Sequence, residues 1–340
     1  MSKTKKPLVK LNDVTMNFYK GSSLFGSRKA FNALHNIDFE IAEGEVVVVV
    51  GESGSGKTTM ANIIANLLEP TQGTYEFDGM DLKKMSKAQY TEYRNNIQMI
   101  QQDSYAALNP VRTMIKNLGD PLVIKKYANK KNVYEKVCEA LKTVELSPPE
   151  NFIHKYSHQL SGGQRQRSLI ARAISMEPKL MLADEPVSMI DVSLRVAILN
   201  LIAKLNQERN IAIMYITHDL ATARYVGKDG RIAVMYLGEI VETGNVQDVL
   251  ADPKHPYLRA LVSAVPIPNP RIAKRVSETN LADVDLPDTS NMPSGCRFHT
   301  RCPFAKDICR NEAPKPVQSG ASLVKCHLVE EIPPYQFIKE

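Results

Sequence analysis

The nine residues GESGSGKTT, Gly51 to Thr59, restrict the possible folds of this chain more than any other stretch. They fit the pattern Gly, four residues, Gly, Lys, Ser/Thr, and they follow the apolar run Val46 to Val50. The residues after them predict a helix that continues to the breakers Pro70 and Gly73, with apolar positions at Met60, Ile63, Ile64, Leu67 and Leu68. A glycine-rich turn between a buried strand and a helix predicts a nucleotide-binding α/β domain.

The residue types of this loop suit a triphosphate. Glycines let successive peptide N–H groups converge on phosphate oxygens, and the helix N-terminus adds its dipole. Lys57 is expected to reach the β and γ phosphates, and Thr58 is expected to ligate Mg²⁺. The predicted nucleotide-binding set is the whole loop: Gly51, Glu52, Ser53, Gly54, Ser55, Gly56, Lys57, Thr58 and Thr59.

A second candidate element supplies two carboxylates at a strand end. Residues Leu180 to Ala183 are all apolar and predict a buried strand, and Asp184 and Glu185 follow directly. Asp184 is expected to hold the hydrated Mg²⁺, which leaves Glu185 as the general base for the water that attacks the γ-phosphate. Together with the loop, this pair predicts a nucleotide-hydrolysing site.

The segment LSGGQRQR, Leu160 to Arg167, predicts another anion-binding helix start. Ser161 is a candidate N-cap, and Gly162 and Gly163 permit close backbone approach. Since one nucleotide needs only one phosphate loop, this second helix end indicates a nucleotide bound to a different subunit. The predicted contacts to that nucleotide are Ser161, Gly162, Gly163 and Gln164.

With these motifs in this order, the sequence resembles the ABC ATPases. The resemblance implies an α/β fold of the P-loop NTPase class, the ABC cassette. That cassette has a parallel-sheet core, an N-terminal antiparallel β-subdomain and an inserted helical subdomain. It also implies that LSGGQRQR is the family signature, which acts on ATP across a head-to-tail dimer of two ATP-binding subunits.

The resemblance implies roles for four further residues. Gln102 matches the Q-loop residue, which touches the metal or the water and shares a groove with the membrane subunit. Asp191 matches the D-loop, and His218 matches the switch histidine that contacts the γ-phosphate. Phe18 is the best match for the aromatic that stacks on adenine, with Tyr19 as the alternative, and Gly21 to Lys29 resembles an insertion beside them.

The sequence pattern predicts an ATPase domain at 8–265, with the helical subdomain at about 104–178. After Asp191 an amphipathic helix is expected, with these residues on one side: Val192, Val196, Leu199 and Leu205. Pro266, Pro268 and Pro270 mark a linker, so 266–340 is expected to be that linker and a Cys-rich extension.

Four of the five cysteines lie in this extension, at Cys296, Cys302, Cys309 and Cys326. Their intervals of five, six and sixteen residues lack the Cys-x-x-Cys pairs of zinc knuckles. The spacing therefore favours a four-cysteine iron–sulfur cluster, with zinc and free cysteines in a disordered tail as alternatives. His299 and His327 lie beside these cysteines.

Together with HPYLRALVSAVP, His255 to Pro266, the tail resembles the C-terminal extension of the oligopeptide/dipeptide importer ATP-binding subunits. That resemblance implies a [4Fe-4S] cluster on the four cysteines named above. A structural staple is the preferred interpretation, and a redox-sensing module that gates the ATPase is the alternative. Residues 255–266 are expected to form a terminal amphipathic helix that packs on the core.

The resemblance implies an ATP-hydrolysing, energy-coupling subunit of a membrane importer, with di- or oligopeptides as the expected cargo. Relatives that serve nickel or oligosaccharides give one alternative, and a soluble ABC ATPase that acts on nucleic acid or ribosomes gives another. The implied partners are a second, related ABC ATPase in a heterodimer and two transmembrane permease subunits. An extracytoplasmic solute-binding protein would act with them indirectly.

Composition bears on the alternatives. The formal net charge of +6 (43 − 37), the single phosphate loop and the lack of sustained heptads argue against a nucleic-acid partner. No run of about 18 apolar residues is present, and MSKTKKPLVK is followed by no apolar signal segment. We therefore expect a cytosolic chain that does not itself cross a membrane, and the resemblance to importer subunits implies a peripheral protein on the cytoplasmic face of the cell membrane.

Overall fold

The structure is a computed structural model that describes residues 6–20, 29–265, 281–283, 285, 287 and 292–335. Its strands are β1 (Pro7–Lys20), β2 (Lys29–Ala42), β3 (Val46–Val50), β4 (Gln72–Phe77), β5 (Met80–Asp81), β6 (Ile97–Ile100), β7 (Leu180–Asp184), β8 (Ala212–Thr217), β9 (Arg231–Tyr236), β10 (Glu239–Asn245), β11 (Pro316–Ser319) and β12 (Ser322–Lys325). Its α-helices are α1 (Lys57–Ile64), α2 (Lys87–Asn96), α3 (Ser104–Ala107), α4 (Met114–Ile124), α5 (Val133–Thr143), α6 (Glu150–Ile153), α7 (Gly162–Ile174), α8 (Val192–Arg209), α9 (Leu220–Val226), α10 (Val246–Ala251), α11 (Pro256–Ser263) and α12 (Asp307–Asn311).

Tertiary contacts divide the chain into two compact units that alternate along the sequence. Unit 1 comprises Met1–Val9, Ile41–Val46 and Glu76–Ile216, and unit 2 comprises Lys10–Glu40, Val47–Tyr75 and Thr217–Glu340. Most of the predicted insertion, residues 21–28, lies outside the described residues, and so do the linker prolines Pro266, Pro268 and Pro270. None of the helices in the described ranges is both long and apolar enough to cross a bilayer.

Unit 1 is built on three parallel strands, with β7 paired to β6 on one side and to β8 on the other. Every residue of β7 is buried, which explains its continuous apolar sequence up to Asp184. Helices α3 to α7 come between β6 and β7 in the chain, where the sequence predicts helical periodicity. Helices α4, α5 and α7 pack against one another, and each buries several apolar residues, among them Leu118, Leu141 and Ile170.

Helix α8 has the predicted periodicity, but its buried face differs from the prediction. The residues buried along it are Ile198, Leu199, Leu201, Ile202 and Leu205. Val192 and Val196 are 74% and 51% exposed, so placing them on the buried side with Leu199 is wrong. Burial along α8 begins at Ile198, so the two valines precede the buried part of the helix.

Helix α1 in unit 2 is shorter than its apolar spacing predicts. It ends at Ile64 because Asn66 takes a left-handed backbone conformation at φ 51°. The peptide N–H groups of Leu67 and Leu68 both then donate to the carbonyl of Asn62, at 2.8 and 3.2 Å. The chain therefore leaves the helix before Pro70 and Gly73, and the expectation that those residues stop it is wrong.

The sheet of unit 2 joins the phosphate loop to the C-terminal part of the chain. Strand β3, which leads into the loop, pairs in parallel with β9. Strand β9 pairs antiparallel with β10, β10 with β12, and β12 with β11. The β11–β12 hairpin thus places residues of the Cys-rich extension in the same sheet as β3. In a second sheet of the chain, β1 lies between β2 and β4.

An aromatic cluster fills the core between β9, α11 and the Cys-rich extension. The ring of Tyr236 lies 4.6 Å from Tyr257 and 5.1 Å from Phe298, measured between centroids. His255 is the N-cap of α11, and its Nδ1 accepts the peptide N–H of Tyr257 at 3.1 Å. Burial lowers the pKa of His255 to about 3, so the ring is neutral near pH 7. The predicted terminal helix is present, and it packs on the core.

We expect Phe298→Ala to lower the free energy of unfolding by about 3–5 kcal/mol, because Phe298 is 2% exposed and its loss leaves a cavity. Urea unfolding followed by circular dichroism measures this change. The matched control is Ile308→Ala in the same extension, where the residue is 43% exposed and its truncation should cost less, about 0.5 kcal/mol. Equal destabilisation by the two substitutions would contradict the role given to the aromatic cluster.

Candidate functional site

The phosphate loop needs glycine at two positions where the backbone passes very close to other backbone. A Cβ at Gly51 would lie 2.2 Å from the carbonyl oxygen of Met235. A Cβ at Gly56 would lie 2.6 Å from the carbonyl oxygen of Ala33, and φ at Gly56 is 103°. Gly56 is also the N-cap of α1. Because glycine has no side chain, it cannot cap the peptide N–H groups at the start of this helix. A helix start of this kind can present its first-turn N–H groups to an external anion.

Lys57 lies inside this loop and is only 6% exposed. Its ammonium donates to the carbonyl oxygens of Gly51 and Glu52, at 2.8 Å each, and to Ser55 Oγ at 3.3 Å. These bonds hold the positive charge at the centre of the loop. The contact between Lys57 and the β and γ phosphates stays a prediction.

Sequence reasoning missed the residues that hold the loop from outside. The peptide N–H of Glu52 donates to the hydroxyl of Tyr257 at 2.8 Å. The carboxylate of Glu52 accepts two hydrogen bonds from Arg301, at 2.7 and 3.1 Å. Both partners are more than 200 positions away in the chain, and nothing in the sequence pairs them with the loop.

In unit 1 the predicted hydrolytic residues meet at the end of β7. Asp184 is the last residue of the strand and is buried. Glu185 follows it, and its Oε2 accepts a hydrogen bond from Gln102 Nε2 at 3.1 Å. The structure therefore brings together the predicted general base and the predicted Q-loop residue, which are 83 positions apart in the chain.

The backbone at Glu185 is left-handed, with φ 45°, which is unusual for a residue that carries a side chain. Three hydrogen bonds hold it there. Its N–H donates to the carbonyl of Ile216 at 3.0 Å, and its own carbonyl accepts from Ser188 N–H at 3.2 Å and from Ser188 Oγ at 3.0 Å. Such conformations cost about 1–3 kcal/mol and cluster at functional sites. The sequence carries no signal for this turn.

The signature helix α7 begins as predicted. Ser161 is its N-cap, and Ser161 Oγ accepts the peptide N–H of Gln164 at 3.3 Å. The amide oxygen of Gln164 accepts the peptide N–H of Ser161 at 3.1 Å, which completes a capping box. A Cβ at Gly163 would lie 3.2 Å from Leu194 Cδ1, so α7 and α8 approach closely at this glycine.

Arginines of helix α7, which sequence reasoning left without a role, join α7 to α3. The guanidinium of Arg165 lies over the ring of Tyr105, 3.3 Å from its centroid, and donates to the carbonyl of Ser157 at 3.3 Å. Arg172 donates to the carbonyl of Ala107 at 2.8 Å. Helix α3 begins two residues after Gln102, so these contacts fix the segment that follows the predicted Q-loop residue.

The remaining predicted residues lie at element ends. His218 is exposed between β8 and α9 in unit 2, and Asp191 occupies the N-cap position of α8 in unit 1. Phe18 is exposed near the end of β1, and its ring stacks at 6.4 Å on Phe31, an aromatic that sequence reasoning did not select. Tyr19, the alternative, is also exposed.

Three of the four cysteines of the extension lie in one small core. Cys309 packs there with Leu328 and Ile332, and Cys296 and Cys326 lie against them. The sulfur of Cys326 accepts the peptide N–H of Leu328 at 3.4 Å. His299 Nδ1 bonds to the carbonyl of Cys296, and His327 Nε2 bonds to the carbonyl of Glu312, each at 2.9 Å. These two ring nitrogens thus have backbone partners.

The thiols interact electrostatically. Burial raises the pKa of Cys296 to about 12, and the neighbouring Cys326, Cys302 and Cys309 add to that effect. Burial likewise raises the pKa of Cys302 to about 11. Without metal, the thiols of Cys296 and Cys302 are therefore protonated near pH 7, and metal binding there must displace those protons. In the part of the chain that the structure describes, no group of three or more His, Cys, Asp or Glu side chains has a metal-holding arrangement.

Comparison with known proteins gives two family matches. Residues 34–188 match the ABC transporter family, and residues 241–309 match the oligopeptide/dipeptide transporter C-terminal region. The oligopeptide transport ATP-binding protein OppF of Haemophilus influenzae is 39% identical over 331 residues, which are 96% of this chain and 98% of that protein. The di/tripeptide transport ATP-binding protein DppF of Pseudomonas aeruginosa is 38% identical over 319 residues, 94% of this chain and 97% of that protein.

Among solved structures, this chain is similar to the ATP-binding cassette MJ0796 in a dimeric post-hydrolysis state bound to ADP and Pi. The TM-score is 0.61 at 34% identity, and the match covers 70% of this chain and 98% of that one. The predicted cassette fold is confirmed.

We expect Gly56→Ala to lower the affinity for nucleotide at least about tenfold, because left-handed backbone alone costs an L-residue about 1–2 kcal/mol. The collision with the Ala33 carbonyl adds to this cost. Titration with a fluorescent ATP analogue measures the affinity. Gly79→Ala is the matched control, since Gly79 is also left-handed, at φ 77°, but a Cβ there meets only Lys6, at 3.7 Å. Wild-type affinity in Gly56→Ala would contradict the role of the loop geometry.

Proposed function

This chain belongs to the oligopeptide/dipeptide family of ABC transporter ATP-binding proteins, and we propose that it is the ATP-hydrolysing, energy-coupling subunit of a peptide importer. The observation that carries the proposal is the phosphate loop closed around Lys57, in a chain similar over nearly its whole length to peptide-transport ATP-binding proteins. The names of those relatives favour peptides over nickel or oligosaccharides as the cargo.

The reaction is hydrolysis of ATP to ADP and phosphate. The loop from Gly51 to Thr59 binds the triphosphate through its peptide N–H groups, and Lys57 contacts the β and γ phosphates. Thr58, Asp184 and Gln102 are the proposed ligands of Mg²⁺, which neutralises charge on the phosphate oxygens when bound. Oxygen ligands of this kind suit that ion.

Glu185 is the proposed general base. It takes a proton from water as the water oxygen attacks the γ-phosphorus, and the bond from that phosphorus to the β–γ bridging oxygen breaks. The hydrogen bond from Gln102 and the three backbone hydrogen bonds at Glu185 support this role, because they fix the carboxylate before substrate binds. His218 is proposed to contact the γ-phosphate and to orient the water.

Phe18 is proposed to stack on adenine. Its exposed ring and its contact with Phe31 support this assignment, since a second aromatic ring holds the first in place. Tyr19 remains the alternative residue.

Catalysis is proposed to need a second ATP-binding subunit. Ser161, Gly162, Gly163 and Gln164 would contact ATP held by that partner, and Asp191 would lie at the same interface. What supports this is the capped, glycine-containing start of α7. The partner is proposed to be a related ATPase, in a heterodimer. In such a dimer each of the two ATP sites would contain residues of both subunits. Since each expected catalytic motif is present here, this chain can supply competent residues to both sites.

The importer is proposed to include two transmembrane permease subunits, with this chain bound peripherally at the cytoplasmic face of the membrane. Gln102 and the helices at 104–178 would pass the ATP-driven motion to the permeases. The packing of Arg165 on Tyr105 supports this proposal, because it ties the signature helix to the segment after Gln102. An extracytoplasmic solute-binding protein would deliver the peptide.

The four extension cysteines are proposed to hold a [4Fe-4S] cluster, with zinc as the alternative. The donor set fits, because four thiols influence one another and peptide N–H groups of Phe298, Phe304 and Leu328 donate to three of the sulfurs. The metal-holding arrangement itself would form on binding. Such a cluster would staple the extension, and redox sensing is the alternative role.

We expect Glu185→Gln to retain ATP binding and to lower the hydrolysis rate by about 10²- to 10⁴-fold, because an amide cannot accept the proton of the attacking water. Phosphate release from the assembled transporter measures the rate. Glu208→Gln, the same substitution at an exposed position of α8, is the control and should behave as wild type. Normal hydrolysis by Glu185→Gln would refute the base assignment.

Protein purified without oxygen should contain about four iron and four sulfide ions per chain, with a visible absorption that a reductant bleaches. Metal and acid-labile sulfide analysis measures this content. Cys309→Ser should lose the cluster, whereas Cys138→Ser, at a buried cysteine outside the extension, should keep it. Stoichiometric zinc would select the alternative, and the absence of both metals would refute the metal site.

A further inference from the structure

Arg301 connects the Cys-rich extension directly to the phosphate loop. Its Nη1 lies 2.7 Å from Glu52 Oε2, and its Nη2 lies 3.1 Å from Glu52 Oε1. Two parallel N–H···O bonds of this kind form the strongest common geometry between a guanidinium and a carboxylate. The pair joins residues that are 249 positions apart in the chain.

The position of Arg301 is fixed by the extension and the aromatic cluster. Its side chain is 4% exposed, and its guanidinium lies 5.7 Å from the Tyr236 ring centroid and 5.9 Å from that of Phe298. Its peptide N–H donates to the carbonyl of Phe298 at 3.0 Å. The guanidinium is therefore held in place by contacts within the protein.

Four residues earlier, Arg297 anchors the same segment to other parts of unit 2. Its Nε lies 3.0 Å from Glu239 Oε1, and its Nη2 donates to Asn32 Oδ1 at 2.8 Å. Arg297 also donates to the carbonyl of Leu237. Since Leu237 follows β9 directly, the anchor ties the extension to the strand that pairs with β3.

Glu52 is the only acidic residue of GESGSGKTT, and a loop that binds a triphosphate gains nothing from a negative charge. Lys57 donates to the carbonyl oxygen of Glu52, whereas Arg301 pairs with its carboxylate. Because Glu52 remains partly exposed, an unpaired carboxylate there would repel the phosphates through water and protein.

We propose that Arg301 is a positioning residue for ATP: it neutralises Glu52 and fixes the start of the phosphate loop, so the folded Cys-rich extension sets the affinity of the loop for ATP. The proposal rests on the assignment of Gly51 to Thr59 as the ATP-binding loop. It gives the extension a role in nucleotide binding besides that of a staple.

The test is a double-mutant cycle on the full chain, with a fluorescent ATP analogue as the probe. Arg301→Ala should weaken binding about tenfold, within the usual range of coupling between sites. In the Glu52→Gln background, where no charge is left to neutralise, the same substitution should change binding by less than about twofold. The ATPase rate at saturating ATP should change less than the affinity, since Arg301 does not touch the reacting atoms.

Two further variants separate electrostatics from folding. Arg301→Lys keeps the charge but not the paired geometry, so it should recover part of the affinity lost in Arg301→Ala. Lys306→Ala breaks an ion pair with Glu331 on the surface of the same extension, and it should bind the probe as wild type does. If Arg301→Ala does not fold, as judged by circular dichroism, Arg301→Lys in both backgrounds completes the cycle.

Equal loss of affinity in the wild-type and Glu52→Gln backgrounds would overturn the proposal, because Arg301 would then act only through folding of the extension. Wild-type affinity in Arg301→Ala would overturn it as well. Failure of the wild-type chain to bind the probe would instead refute ATP binding itself, so failure of the inference and failure of the function give different results.

Discussion

The buried ammonium of Lys57, bonded to the carbonyls of its own loop, is the interaction on which the nucleotide-binding part of the structure depends. The loop can close around this charge only because Gly51 and Gly56 pass within contact distance of the carbonyls of Met235 and Ala33. Those carbonyls must themselves be held, and the parallel pairing of β3 with β9 holds the strand that ends at Met235 and Tyr236. A short motif thus depends on a long-range strand pair.

The same dependence extends to the Cys-rich extension. Its β12 pairs with β10, Phe298 enters the aromatic cluster with Tyr236 and Tyr257, and Tyr257 accepts the peptide N–H of Glu52. Hydrophobic burial supplies most of the free energy of this packing. The hydrogen bonds of Arg297 and Arg301 fix the orientation of the extension, because they have a defined geometry. The extension is therefore part of the surroundings of the loop, which the intervening proline-marked linker does not suggest.

In unit 1 the proposed catalytic residues depend on a strained backbone conformation and on side-chain contacts. Glu185 adopts a backbone conformation that hydrogen bonds must maintain, and Gln102 reaches its carboxylate from another strand end. Arg165 on Tyr105 links the signature helix to the segment after Gln102. A chain of contacts of this kind can transmit a displacement because each link has a defined geometry.

The sequence by itself determined the phosphate loop, the carboxylate pair at the end of β7, the Ser161 cap and the family, since each depends on residue types at short, fixed spacing. The sequence misjudged the end of α1 and the exposure of the two valines in α8. Periodicity shows which residues share one side of a helix, but it does not show where the helix ends or which of its residues other elements bury. Only the tertiary structure decided that Arg301 meets Glu52, that Phe31 lies against Phe18 and that Glu185 is left-handed. Those contacts join residues far apart in the chain or depend on neighbours that folding brings near, and local patterns carry no record of them.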